Sequence, residues 1–167
     1  KGVVYNQSQE RLLSAFTTET EGLSTGEGNV AGIDLLIQYT EKGHSGYLSY
    51  SYTYSANSLM NVNEGRAFPS PYNKPHDLKL TYNYRARDYI TYVDLRTSSG
   101  YAYTPVLGFF EGPGGDTFLV YGDDLSARLP NIFRVDIGVS RKFHFDKQDL
   151  TIGLGLYNLT DNVNIRN

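Results

Sequence analysis

Apolar and polar residues alternate with a period of two along six stretches of the chain, the pattern of strands whose two faces meet different surroundings. Leu48, Tyr50, Tyr52 and Tyr54 stand between Ser49, Ser51, Thr53 and Ser55. Leu78, Leu80, Tyr82 and Tyr84 stand between Asp77, Lys79, Thr81, Asn83 and Arg85. Phe133, Val135, Ile137 and Val139 alternate with Arg134, Asp136, Gly138 and Ser140. Ile33, Leu35, Ile37 and Tyr39 form a further row, interrupted only by Leu36. Tyr89, Thr91, Val93 and Leu95 form another, and Leu150, Ile152, Leu154 and Leu156 complete the six. A weaker seventh strand is expected over residues 9–18.

The connections alternate too. Short turns are expected at residues 41–45, 86–88 and 146–149, and long connections at 19–29, 57–75 and 98–130. Tight turns on one side and long loops on the other are the habit of an outer-membrane barrel. The last connection reads as irregular, because Gly108, Gly112, Pro113, Gly114 and Gly115 disfavour regular structure. A structureless stretch of that length counts against a compact soluble domain and suits a barrel rim. The predicted fold is all-β: a segment of an antiparallel up-and-down transmembrane β-barrel, supplying about six or seven strands of a larger barrel. The competing architecture is a soluble β-sandwich. With the tight turns taken as periplasmic, the last strand runs outward. Residues 1–167 are therefore expected to be an incomplete barrel segment, a piece of something longer that lacks at least one closing strand.

Composition sharpens this picture. The chain spends 15 residues on Tyr and 8 on Phe, which favours pleated structure over helix. Tyr39, Tyr47, Tyr84, Tyr89, Phe143 and Phe145 fall near the tight-turn ends of their strands, and Tyr54, Phe133 and Tyr157 near the other ends. Two aromatic belts at headgroup level are the membrane reading of that distribution. No apolar run approaches the roughly 20 residues of a membrane helix. A mean hydropathy of −0.41 does not exclude a barrel, since only alternate residues face lipid. A net charge of −3 gives no basic footprint for nucleic acid, and the absence of Cys removes disulfides and thiolate metal sites.

Five segments then resemble one family. Pro71-Tyr72-Asn73-Lys74-Pro75-His76-Asp77-Leu78-Lys79-Leu80 is similar to the "fDrpHdl.l" segment of TonB-dependent outer-membrane receptors of the Bacteroidetes type, with Asn73 in place of the usual Asp. Gly32-Ile33-Asp34-Leu35 resembles their "GiEl" strand start, and residues 97–104, TSSGYAYT, their "stG.pyT". Residues 128–136, RLPNIFRVD, resemble "RlP.yhRlD" without its His, and residues 156–164, LYNLTDNVN, resemble "iyNlyn..N". The resemblance covers residues 32–167 and the last third of the family barrel. It implies a 22-strand wall around a plug domain, in the outer membrane of a Gram-negative bacterium. It also implies import of a scarce solute driven by the inner-membrane TonB complex through an N-terminal part that this sequence lacks. Implied partners are outer-membrane lipid, the remaining strands and plug, and a surface lipoprotein. A barrel serving assembly or adhesion and a soluble binding module are the alternatives.

No enzyme motif survives inspection, and neither a catalytic residue nor a cofactor is expected. His44, His76 and His144 lack metal-ligand spacing. Gly43-His44-Ser45-Gly46 is no nucleophile elbow, and Gly153-x-Gly155 lies within a strand, where small residues are expected to relieve crowding or permit curvature. Asp116, Asp123 and Asp124 offer oxygens to calcium, without EF-hand spacing. On the polar faces, Asp77, Lys79, Asp94, Arg96, Arg134 and Asp136, with Asp34 one hairpin away, are expected to form cross-strand pairs of opposite charge that stabilise the lumen wall or hold a plug, the alternative being a charged surface lining the substrate path. The acids of the last long loop are expected to face only Arg128. The candidate binding residues are that loop's aromatics, Tyr101, Tyr103, Phe109, Phe110, Phe118 and Tyr121, which suit stacking on a sugar or gripping an apolar ligand.

Overall fold

A computed structural model describes the backbone of residues 2–14 and 24–165, with side chains from residue 26 onward. In chain order the strands are β1 (Gly2–Ser14), β2 (Ser24–Glu41), β3 (His44–Leu59), β4 (Phe68–Pro69), β5 (His76–Ala86) and β6 (Tyr89–Ser98). They continue with β7 (Ala102–Tyr103), β8 (Val106–Glu111), β9 (Thr117–Tyr121), β10 (Ala127–Arg128), β11 (Ile132–Phe145) and β12 (Gln148–Leu156). A 3₁₀ turn at Asn63–Gly65 is the only helical element among the described residues.

Seven long strands form one antiparallel sheet in the order β1-β2-β3-β5-β6-β11-β12, so each neighbour in space is the next long strand in sequence. All six strands expected from alternation are present. The seventh spans Gly2–Ser14 rather than 9–18, and residues 15–18 lie outside the described residues. Part of the expected first loop, from Ser24 to Asn29, belongs to β2, and residues 19–23 lie outside the described residues. The three tight turns are Lys42-Gly43, Arg87-Asp88 and Asp146-Lys147. Positive φ at both Lys42 and Gly43 matches the twist of the flanking strands in the first of them.

Register divides the sheet into two unlike faces. Ile33, Leu35 and Ile37 lie opposite Tyr52, Tyr50 and Leu48, and the latter pair meets Leu78 and Leu80 on β5. Leu80 and Tyr82 lie opposite Leu95 and Val93, which lie opposite Val135 and Ile137, with Leu156 beyond. This apolar face runs unbroken across six strands and is uncovered: Ile33 is 50% exposed and Leu154 71%. The sheet is a single layer among the described residues, whereas a sandwich would bury this face under a second sheet. The other face carries Asp34, Ser49, Ser51, Asp77, Lys79, Thr81, Asp94, Arg96, Arg134 and Asp136.

Two expected belt residues belong to the polar face. Tyr47 lies opposite Gln38 and Thr81, one residue out of step with the apolar row. Tyr157 follows β12 and its ring lies under the Arg134 guanidinium at 5.8 Å. Arg141 stays on the apolar face, with no bulge in β11, and its guanidinium stacks over Tyr89 at 5.1 Å and Phe143 at 4.7 Å. The buried core is small and sits at the long-connection end: Leu59, Val62 and Phe68, with Leu125 against them.

Candidate functional site at the long-connection end

The connection after β6 is not irregular, contrary to the expectation from its glycines. β7 pairs with β10, and β8 pairs with β9 as a projecting hairpin. Backbone pairing satisfies groups that a long coil would leave to water, and the glycines collect at the hairpin tip and bulge. Gly122 N donates to the Pro105 carbonyl at 2.8 Å and closes the hairpin base. Gly100 passes so near the chain returning from β10 that an added Cβ would stand 1.8 Å from the Leu129 carbonyl oxygen.

The two later long connections are tied to each other. Asn63 Nδ2 donates to the Asp124 carbonyl at 2.9 Å, and Asp124 N donates to Asn63 Oδ1 at 2.7 Å. Arg66 reaches Asp123 at 3.0 Å, and Thr104 Oγ1 donates to Asp124 Oδ1 at 3.1 Å. The loop acids therefore do not face only Arg128. Arg128 instead donates to the carbonyls of Asn73 and Gly100, both at 3.1 Å. Among the described residues no group of three or more acidic or His side chains is placed to hold a metal. Asp123 and Asp124 are engaged as above, and Asp116 sits at the hairpin tip.

The six candidate aromatics do not form one surface. Tyr101 is half-buried at the loop base, 5.9 Å below the Lys74 ammonium, and Tyr103 is exposed on β7. Phe109, Phe110, Phe118 and Tyr121 lie on the hairpin. Phe110 and Phe118 stack at 5.3 Å on one of its faces, while Phe109 lies opposite Leu119 on the other and is 71% exposed.

The expected cross-strand pairs of opposite charge are not formed between directly opposite residues, and opposite charges meet across β6 and β11 only on the diagonal, Arg96 with Asp136 and Asp94 with Arg134, without contact. Register sets Lys79 opposite Arg96, and Arg96 opposite Arg134, while Asp94 lies opposite Asp136. The contacting pairs run along the chain instead: Arg134 and Asp136, two apart on one strand, share a face, and Lys74 reaches Asp77 from just before β5. Arg134 grips Asp136 with two nitrogens, each at 2.7 Å, and Lys74 pairs with Asp77. Asp136, only 5% exposed, also accepts the Asn158 N–H at 2.8 Å. Lys74 is the member of this cluster that alternation does not reveal, since it precedes β5.

Residues 157–164 show what their asparagines do. β12 stops at Leu156 while β11 continues to Ile132, leaving an edge of β11 without a strand partner. Asn164 Oδ1 accepts the Phe133 N–H at 2.8 Å, and Leu159 N donates to the Val135 carbonyl at 2.8 Å. Asn158 and Asn164 then bond to each other at 3.2 Å.

Compared with protein-family models, with curated proteins and with solved structures, the chain matches none.

Proposed function

We propose that this chain is wall and rim of an outer-membrane β-barrel, the C-terminal barrel part of a TonB-dependent receptor that imports a scarce solute. One observation carries the reading: a consecutive up-and-down sheet with an apolar face uncovered over six strands and a charged face behind it. An uncovered apolar face of that size needs lipid or protein against it. β5, β6 and β12 hold 11, 10 and 9 residues, close to the roughly 9–11 of a membrane strand. Tight turns at one end and paired, clamped loops at the other fit periplasmic and extracellular sides. Tyr39, Tyr84 and Tyr89 near the turns, and Tyr54 and Phe133 at the far end, fit interfacial positions on the lipid face. The receptor identity rests on the five sequence segments.

The test uses the intact protein containing this chain, expressed in a Gram-negative host. It should fractionate with the outer membrane, migrate differently before and after boiling, and retain the purified periplasmic domain of TonB. Insertion without TonB retention would favour an assembly or adhesion barrel. Recovery as a detergent-free soluble monomer would overturn the membrane reading altogether.

A further inference from the structure

Lys79, Arg96 and Arg134 stand side by side on β5, β6 and β11, a row of three cations across three neighbouring strands. Like charges directly opposite each other in a sheet destabilise it. Arg134 is gripped by Asp136, whose charge Arg96 also feels from the neighbouring strand, but no carboxylate among the described residues comes within ion-pair distance of Lys79 or Arg96. The polar face opens here into a cleft of about 280 Å³, lined by Lys74, Asp77, Lys79, Arg96, Ser98 and Tyr101 among others. Its charges are three cations against one carboxylate, and that carboxylate is engaged by Lys74. Within the cleft's own lining, Lys79 and Arg96 are left as two cations without a contacting carboxylate. A second hollow of about 240 Å³ shares Lys74, Asp77 and Lys79 and adds the hydroxyl residues Ser49 and Ser51.

We propose that this cleft is an oxyanion-binding site, and that it takes a solute bearing a phosphate or a pair of carboxylates. A dianion matches the two cations that no carboxylate of the cleft contacts. The planar guanidinium of Arg96 suits two oxygens at once, Lys79 adds a point charge, and Ser49 and Ser51 extend donors to a polar remainder. The Lys74 ammonium, held between Asp77 and the Tyr101 ring, fixes the wall facing the loop. The barrel reading supplies only the location, the lumen side near the long loops; the chemistry of the site stands apart from it.

Crystals of the intact wild-type protein soaked in sodium tungstate should show anomalous density between Lys79 and Arg96. In solution, radiolabelled orthophosphate should bind saturably to the intact protein. Arg96→Gln should weaken that binding about tenfold or more, the effect of losing charge-assisted hydrogen bonds. Arg96→Lys should retain part of it, and Lys147→Gln, in a distant turn, should leave it unchanged. Displacement by citrate indicates a carboxylate solute, and displacement by phosphate esters alone a phosphorylated one. Phosphate binding equal in wild type and a folded Arg96→Gln overturns the proposal. So does a tungstate-soaked wild-type crystal with an empty cleft, whether or not the variants fold. Either result in a protein that inserts into the outer membrane leaves the barrel reading standing. A soluble protein with tungstate in the cleft would do the reverse.

Discussion

At the scale of single residues, the glycines of the last strands take their meaning from one tyrosine. Tyr92 points to the polar face between β5 and β11. A Cβ added at Gly138 would stand 2.2 Å from its ring, and one at Gly155 2.8 Å from its hydroxyl. The expectation that Gly153-x-Gly155 relieves crowding thus gains a physical object, at Gly155 at least: an aromatic ring lying across bare backbone. Gly138→Ala forces that ring aside and should cost about 1–3 kcal/mol, the usual range for overpacking. In Tyr92→Ala the added methyl meets no ring, so the double variant should recover most of that loss. Urea unfolding of the four proteins in detergent measures the coupling; a Gly138→Ala penalty unchanged by Tyr92→Ala would place the clash elsewhere. Arg141 makes the same point with charge. Its position on the apolar face is tolerated because Tyr89 and Phe143 give it two π faces near the turn end.

At the scale of elements, the β8–β9 hairpin stands out from the rest of the long connection. Both faces of this two-stranded unit are apolar, with Phe110 and Phe118 on one and Phe109 and Leu119 on the other. An isolated hairpin is marginal in water, and exposed aromatics on a rigid base suit a binding role. The clamp of Asn63 and Arg66 onto Asp123 and Asp124 lies outside the hairpin, so the two can be separated experimentally. In the intact protein, replacing residues 106–121 by a short Gly/Ser linker should leave barrel insertion and the clamp intact. Pro105 and Gly122 already meet, so the gap closes without strain. If the protein is the receptor proposed above, solute uptake or capture of a surface lipoprotein should fall. Unchanged uptake and capture in an inserted, shortened protein would reduce the hairpin to a cover.

At the scale of the whole molecule, the two faces of the sheet dictate opposite responses to the same substitution. Ile137 lies beside Val93 on the apolar face, while Asn83 lies beside Tyr92 on the polar one. An Arg at mid-membrane on a lipid face costs roughly 2–4 kcal/mol and far less toward a lumen. In the proposed outer-membrane barrel, Ile137→Arg should therefore impair assembly, seen as loss of the heat-modifiable band. Asn83→Arg should leave that band in place. Gly138 is unsuitable as the polar-face control because any side chain there strikes Tyr92. Equal tolerance of the two variants would mean that neither face meets lipid.

The period-two pattern by itself determined the six strands and the side each residue takes, because a strand's side chains alternate whatever its partners are. It also placed the tight turns, since Lys42-Gly43 and its counterparts interrupt alternation where the chain must reverse. The aromatic candidates were visible as residue types, but their division between loop base and hairpin was not. Glycine spacing suggests coil, and only pairing of β8 with β9 and β7 with β10 supplies the backbone bonds that make strands there. Tyr47 and Tyr157, by contrast, were legible: each is one residue out of step with its apolar row, so alternation sets it on the polar face, and only its nearness to a strand end suggested a belt. The charge row shows the limit most sharply. Asp77, Lys79, Asp94, Arg96, Arg134 and Asp136 were all readable as polar-face residues, yet which of them oppose each other depends on register. Register is set by the turns and by apolar neighbours rows away, so tertiary structure alone aligned cation with cation and left Lys79 and Arg96 with no carboxylate in contact among the described residues.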